Sequence, residues 1–159
     1  IMIRDAIASD ASRIAEIYSP YVTHSAVSFE ETPPDAAEVE TRMEAAHLWL
    51  VDETDGEIRA YAYGTPWRSR HAYRFTVETT VYVASERHGK GIGRALYTEL
   101  LEQLTDLGYV TAVAGITLPN DQSVEFHRAL GFTYVGTFPK VGFKFDTWYD
   151  TGWMSRPLR

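Results

Sequence analysis

Residues 77 to 101 read VETTVYVASERHGKGIGRALYTELL, a β-rich run that passes into a helical pattern through three alternating glycines, Gly89, Gly91 and Gly93. Glycines this close together do not make a flexible linker, and the helical stripe starts too soon after them for an ordinary turn. The junction therefore needs a strand, a tight bare-backbone turn and a helix in immediate succession. Ile92, Leu96, Leu100, Leu104 and Leu107 fall on one stripe of that helix, with Gly108 placed as its C-terminal cap. The nearly continuous apolar run YVTAVAGITL that follows reads as a strand buried on both faces. A helix between two such strands makes the fold class mixed α/β (α+β).

The charges at this junction run against the helix dipole. A helix N-terminus carries unpaired N–H groups and about half a positive charge, so basic residues are unfavourable there and acidic ones favourable. Here Lys90 and Arg94 crowd the start, with Arg87 just before, while Glu99, Glu102 and Asp106 lie toward the end. The inversion costs roughly a few tenths of a kcal/mol per charge unless an anion sits at the start. A bound phosphate or pyrophosphate is the simplest account, approached by backbone that the glycines leave unobstructed. Two common phosphate devices fit poorly. Gly89-Lys90 is followed by Gly91 rather than the Ser or Thr of a P-loop, and the glycine spacing is not that of the dinucleotide fingerprint.

The rest of the chain completes an α/β domain spanning residues 1 to 159. IMIRDA reads as a strand, and Ser9 or Asp10 caps a helix bearing Ile14, Ile17 and Tyr18. Pro34 suits the first turn of a second helix running to about His47. LWLVDETDGEIRAYAYGTPW is a hairpin turning at Asp55-Gly56, and a further strand spans about Tyr73 to Ala84. DQSVEFHRALGF is a short helix stopped by Gly131, and two strands close the chain.

Composition narrows the function. With no cysteine, disulfides, thiolate metal sites and a cysteine nucleophile are excluded, which favours direct transfer over a covalent intermediate. His24, His47 and His71 show no metal-ligand spacing, so no metal is expected. A net charge of −7 repels nucleic acid over most of the surface. No run reaches the roughly 20 apolar residues of a membrane span and the N-terminus lacks the apolar run of a signal peptide, so a cytoplasmic protein is expected.

The remaining phosphate device is the one the chain resembles. His88-Gly89-Lys90-Gly91-Ile92-Gly93 is similar to the coenzyme A pyrophosphate loop of GCN5-related N-acetyltransferases (GNAT), Gln/Arg-x-x-Gly-x-Gly/Ala, with His88 where Gln or Arg is usual. More narrowly, WLVDETDGEI, YAYGTPWRSRHAYRFTVETTVYV, LPNDQSVEFH and GFKFDTWYDTGWM resemble the phosphinothricin and methionine sulfoximine/sulfone acetyltransferase branch. The resemblance implies a central mixed, mostly antiparallel sheet flanked by helices, in which strands 4 and 5 are parallel and splayed. It implies acetyl-CoA as cosubstrate, its pyrophosphate on residues 88 to 94 (His88, Gly89, Lys90, Gly91, Ile92, Gly93, Arg94). Pantetheine would lie along Val81, Tyr82 and Val83, with Asn120 and Ser123 also contacting the coenzyme.

The acceptor amine must lose a proton. Glu78 stands in a strand otherwise made of Phe75, Val77, Thr79, Val81 and Tyr82, a poor place for a carboxylate unless it faces a cleft, and partial burial would tune it as a base. His127 is the rival, either near the sulfur or as a structural partner. Ten tyrosines leave the thiolate's acid unassigned. Among Arg68, Arg70 and Arg74, Arg70 is assigned to the acceptor carboxylate. Phe29, Trp67 and Tyr73 wall the pocket, and Thr79 meets the end of the acceptor side chain. The expected acceptor is a small amino acid such as phosphinothricin, methionine sulfoximine or methionine sulfone. A protein N-terminus or lysine, or a non-catalytic acetyl-CoA sensor, is the alternative. Trp148, Tyr149 and Trp153 supply aromatic surface for a homodimer.

Overall fold

A computed structural model describes residues 2–87 and 91–159, so the readings placed on His88, Gly89 and Lys90 lie outside the described residues. The elements follow the order β1 (Met2–Asp5), α1 (Ala11–Thr23), α2 (Ala36–Ala45), β2 (Leu48–Thr54), β3 (Glu57–Pro66), β4 (Thr76–Val83), α3 (Ile92–Asp106), β5 (Thr111–Leu118), α4 (Asp121–Ala129), β6 (Thr133–Lys144) and β7 (Thr147–Pro157). Seven strands form one sheet in the order β1-β2-β3-β4-β5-β7-β6, antiparallel except for the β4–β5 pair. This is the splayed mixed sheet expected from the sequence.

The two-residue period of β4 divides its side chains between two cores. Val77 faces α3, in a cluster with Leu96, Leu100 and Leu104, and Val81 and Val83 pack against that cluster. Tyr82 faces the other way, against the cluster that α1 and α2 build with Trp49, Val51 and Tyr61. Glu78 shares the parity of Tyr82 and so stands on the α1/α2 face.

Several element boundaries differ from the sequence reading for local reasons. Asp35, not Pro34, opens α2, because its carboxylate accepts the Glu38 N–H at 2.9 Å. β4 begins at Thr76 because His71–Tyr73 form a 3₁₀ turn. Asp10 caps a 3₁₀ turn ahead of α1, accepting from the Ile7 N–H at 2.8 Å, and two hydrogen bonds from the Arg4 guanidinium hold its carboxyl below the usual range. The Asp55-Gly56 hairpin forms as read, with φ of 53° and 78°.

One buried cation holds the loop after α1. Lys144, 2% exposed at the end of β6, donates to the carbonyls of Val22, Ser25 and Ser28 at 2.7, 2.9 and 2.6 Å. Burial lowers its pKa, and the nearby charges of Glu31 and Glu30 oppose that shift. No local pattern in VGFKFDTW marks the lysine as buried, because its partners lie more than a hundred residues away. Lys144→Met should orphan these carbonyls and cost about 3 kcal/mol in urea denaturation, measured as a fall in midpoint at unchanged slope.

Candidate active site

The site begins where two strands part. β4 and β5 pair only at Thr76↔Thr111, Val77↔Ala112 and Glu78↔Val113. Beyond Val113, β5 continues to Leu118 against β7, while β4 runs on to Val83 against β3. Between them lies a cavity of about 560 Å³, lined by Val81 and Val83 on one side and by Ala114 and Ile116 on the other.

The free edge of β4 is polar backbone. Ala84 donates its N–H to Arg59 of the β3 side, so by alternation Tyr82 also directs its backbone at β3, while Val81 and Val83 direct theirs at the gap. Of the three residues expected to meet pantetheine, Tyr82 therefore departs: it lines the cavity, but its backbone is committed to the sheet. Its ring packs 4.8 Å from that of Tyr21, whose hydroxyl donates to the Val83 carbonyl.

Helix α3 points its N-terminus at this cavity, and Gly91, Ile92, Gly93 and Arg94 all line it. Gly91 is the N-cap at φ 72°, a left-handed conformation that favours glycine, and it supplies no side-chain cap. The first-turn N–H groups are thus left for an external acceptor. Gly93 serves a different end: a Cβ there would lie 3.2 Å from Val83 Cγ2, so this glycine lets the helix close on the strand. Arg94 is exposed and joins no ion pair among the described residues. Asn120 and Ser123 line the cavity at the start of α4, where the Asn120 Oδ1 accepts the Ser123 N–H at 3.1 Å.

A buried hydrogen-bonded chain runs under the gap. The Thr79 Oγ1 lies 2.6 Å from the Tyr97 hydroxyl, which lies 3.2 Å from His127 Nε2, and His127 Nδ1 lies 2.8 Å from the Ser123 carbonyl. A carbonyl only accepts, so Nδ1 carries the proton and Nε2 accepts from Tyr97. Burial pushes the His127 pKa down, opposed by the bond to Ser123, and keeps the ring neutral at physiological pH. Thr79 is buried on the α3 face, opposite Glu78, and this corrects its placement at the acceptor. Tyr97, wholly buried, was hidden in the sequence as one more member of an apolar helical stripe.

Glu78 stands at the point where the strands separate. Its carboxylate has no hydrogen bond or ion pair among the described residues, and burial raises its pKa. The Trp153 ring lies over Gly115, where a Cβ would come within 3.1 Å of it, and its centroid is 6.3 Å from that of Trp67. Trp67 follows β3 and Trp153 belongs to β7, so their contact bridges β4 and β5 on the Glu78 face. Tyr73 meets Trp67 edge-on at 5.5 Å and stays half-exposed. Phe29 lies against Gly142, with its ring 6.3 Å from Tyr149. Arg70 is exposed at the start of the 3₁₀ turn and unpaired among the described residues. Arg68 stacks over Trp67, and Arg74 over Phe75.

A cleft between splayed parallel strands with a helix N-terminus at one end meets a decisive comparison: the family model described as an acetyltransferase (GNAT) domain matches residues 3–153. The chain belongs to the GNAT acetyltransferase family. Over 159 residues it is 39% identical to phosphinothricin N-acetyltransferase of Streptomyces viridochromogenes, across 98% of this chain and 87% of that protein. It is 37% identical over 160 residues to L-methionine sulfoximine/L-methionine sulfone acetyltransferase of Salmonella typhimurium, across 98% of this chain and 94% of that one. The crystal structure of a phosphinothricin acetyltransferase from Sinorhizobium meliloti in complex with AcCoA is similar at TM-score 0.94 and 40% identity, covering 99% of this chain and 88% of that chain.

In this GNAT protein the raised pKa of Glu78 has a stability consequence. A carboxyl whose folded pKa lies above its unfolded value adds stability at low pH and loses it as pH rises through the folded value. Glu78→Gln removes that loss. At pH 8 its thermal midpoint should equal or exceed the parent's, and at pH 4 the difference should vanish or reverse, as calorimetry at the two pH values would show.

Proposed function

We propose that this GNAT protein transfers the acetyl group of acetyl-CoA directly to the amine of a compact α-amino acid, of the class of phosphinothricin, methionine sulfoximine or methionine sulfone. One observation carries the reading: a partly buried glutamate, unpaired among the described residues, stands at the fork from which the cavity opens, and the start of α3, whose N-cap glycine offers no side-chain cap, lines that cavity. The relatives' names supply the acceptor class, and the aromatic walls and the exposed, unpaired Arg70 agree with it.

The residues fit the cosubstrate. The N–H groups of Gly91, Ile92 and Gly93 would take the pyrophosphate, with Arg94 adding charge. The edge of β4 at Val81 would pair with pantetheine as an added strand. A backbone N–H on that edge would also polarise the thioester carbonyl as its oxygen gains charge. Glu78 takes one proton from the acceptor ammonium, the neutral nitrogen attacks the carbonyl carbon, the C–S bond breaks, and the second proton shed by the nitrogen balances the one gained by the departing sulfur. Glu78, rather than His127, is the base, since both His127 ring nitrogens are engaged, by Ser123 and by Tyr97. His127 is then a structural partner. Arg70 would hold the acceptor carboxylate in a bidentate pair.

The test is steady-state kinetics with free-thiol detection on the three named acceptors, alongside a polyamine and an aminoglycoside. Turnover of at least one amino acid is expected. Glu78→Gln should lower kcat by roughly 10²- to 10⁴-fold with acetyl-CoA binding intact. Arg70→Ala should raise the acceptor KM and spare that of acetyl-CoA. Efficient acetylation of the polyamine or aminoglycoside, with all three amino acids untouched, would overturn the acceptor class.

The same reading includes a homodimer. Phe138, Val141, Phe143, Phe145 and Trp148 are 51 to 60% exposed on the β6–β7 hairpin, a large apolar surface beside Phe29. Trp153 is spent within the chain, over Gly115, so the surface differs from the one read in the sequence. Light scattering at micromolar concentration should give twice the 18.0 kDa chain mass, and a monomer would end this part of the proposal.

A further inference from the structure

A second cavity of about 380 Å³ opens on the Glu78 face, between α1, α2 and the β2–β3 hairpin. Its floor is a ring stack: Trp49 lies 4.1 Å from Tyr63 and 5.6 Å from Tyr61 by centroids, nearly parallel to both. Trp49 is 8% exposed, and its indole N–H is buried with no hydrogen-bond partner. A buried donor without a partner beside a cavity is a cost that a ligand oxygen relieves. Arg42 lines the cavity with its guanidinium paired to Glu30, at 2.9 and 2.7 Å, and to Glu38, at 3.1 Å.

This cavity is within reach of the proposed base. Trp49 pairs with Tyr63, and the next residue of that face of β3, Thr65, pairs with Glu78. Two strand spacings and one two-residue step separate the Cα atoms of Trp49 and Glu78, roughly 12 Å in an untwisted sheet. Two side chains and an amino acid of methionine length span that distance.

Resting on the acceptor class proposed above, we propose that this cavity receives the acceptor's side chain, and that the Trp49 indole N–H donates to an oxygen carried near its end. The ring stack takes the methylenes and the terminal methyl, and the indole N–H reads a sulfone, sulfoximine or phosphinate oxygen. Methionine has the same length without the oxygen, so it is the discriminating control.

The experiment has an activity arm and a binding arm. In the activity arm, Trp49→Phe keeps an aromatic ring and removes the donor. Its KM for methionine sulfone should rise about 5- to 10-fold, while the KM for methionine and for acetyl-CoA stays within twofold. Ala45→Trp, at an exposed position on the cavity wall, should raise the KM of both amino acids by filling the space. In the binding arm, ¹H–¹⁵N spectra of the parent chain with CoA follow the indole resonances of its four tryptophans during titration with methionine sulfone. The Trp49 resonance should move downfield with the sulfone and hold still with methionine. Equal losses for both acceptors in Trp49→Phe together with a stationary indole resonance would overturn the proposal while leaving the acetyltransferase reading intact. A parent chain that acetylates none of the amino acids but shows the indole shift would overturn that reading and keep the cavity.

Discussion

The structure depends on three residue pairs. Thr76, Val77 and Glu78 join β4 to Thr111, Ala112 and Val113 of β5, and there the parallel contact stops. A longer pairing would satisfy the backbone of both strands and close the sheet. The early stop leaves the Val81 backbone facing a cavity, an arrangement a fold tolerates only where water or a ligand completes the hydrogen bonds. α3 and α4 sit at the mouth of the gap, and β5 takes its second partner from β7, so the divergence is built into the topology.

The two faces of β4 then do different work. On the α3 face, Thr79, Tyr97 and His127 form a closed polar chain anchored on the Ser123 carbonyl, which fixes α4 against the sheet beside the cavity. On the α1/α2 face, Glu78 has no such partners among the described residues. Two titratable groups, one partly buried and one buried, have opposite shifts for one reason: desolvation disfavours the charged form of each, which raises a carboxyl and lowers an imidazole. Lys144 adds a third device, a buried ammonium that ties the loop ahead of Phe29 to β6 through three carbonyls.

Much of this was legible in the sequence because its signals are local. The glycine-rich junction, the leucine stripe of α3, the Asp55-Gly56 turn and the apolar run of β5 each depend on neighbours a few residues away, where steric and periodic rules operate. The odd carboxylate in VETTVYV marked Glu78 by the same logic, since a lone acid in a β-branched run has few uses outside a cleft. The two roles of neighbouring glycines were not legible. Gly91 answers to its own φ, whereas Gly93 answers to Val83 across the helix–strand contact.

By itself the sequence determined the class of fold and the order of its elements, and it pointed to the α3 start and to Glu78 as the groups on which the proposed reaction rests. Tertiary structure alone decided which face of β4 each side chain serves, moving Thr79 to the far side from Glu78 and turning the Tyr82 backbone into the sheet. It also decided that Lys144 is buried, that His127 has both nitrogens engaged, and that Trp49, Tyr61 and Tyr63 meet as a stack beside α2. The physical reason is range: periodicity and turn chemistry are set by residues adjacent in the chain, whereas burial and hydrogen-bond partnership are set by residues brought together only when the sheet closes.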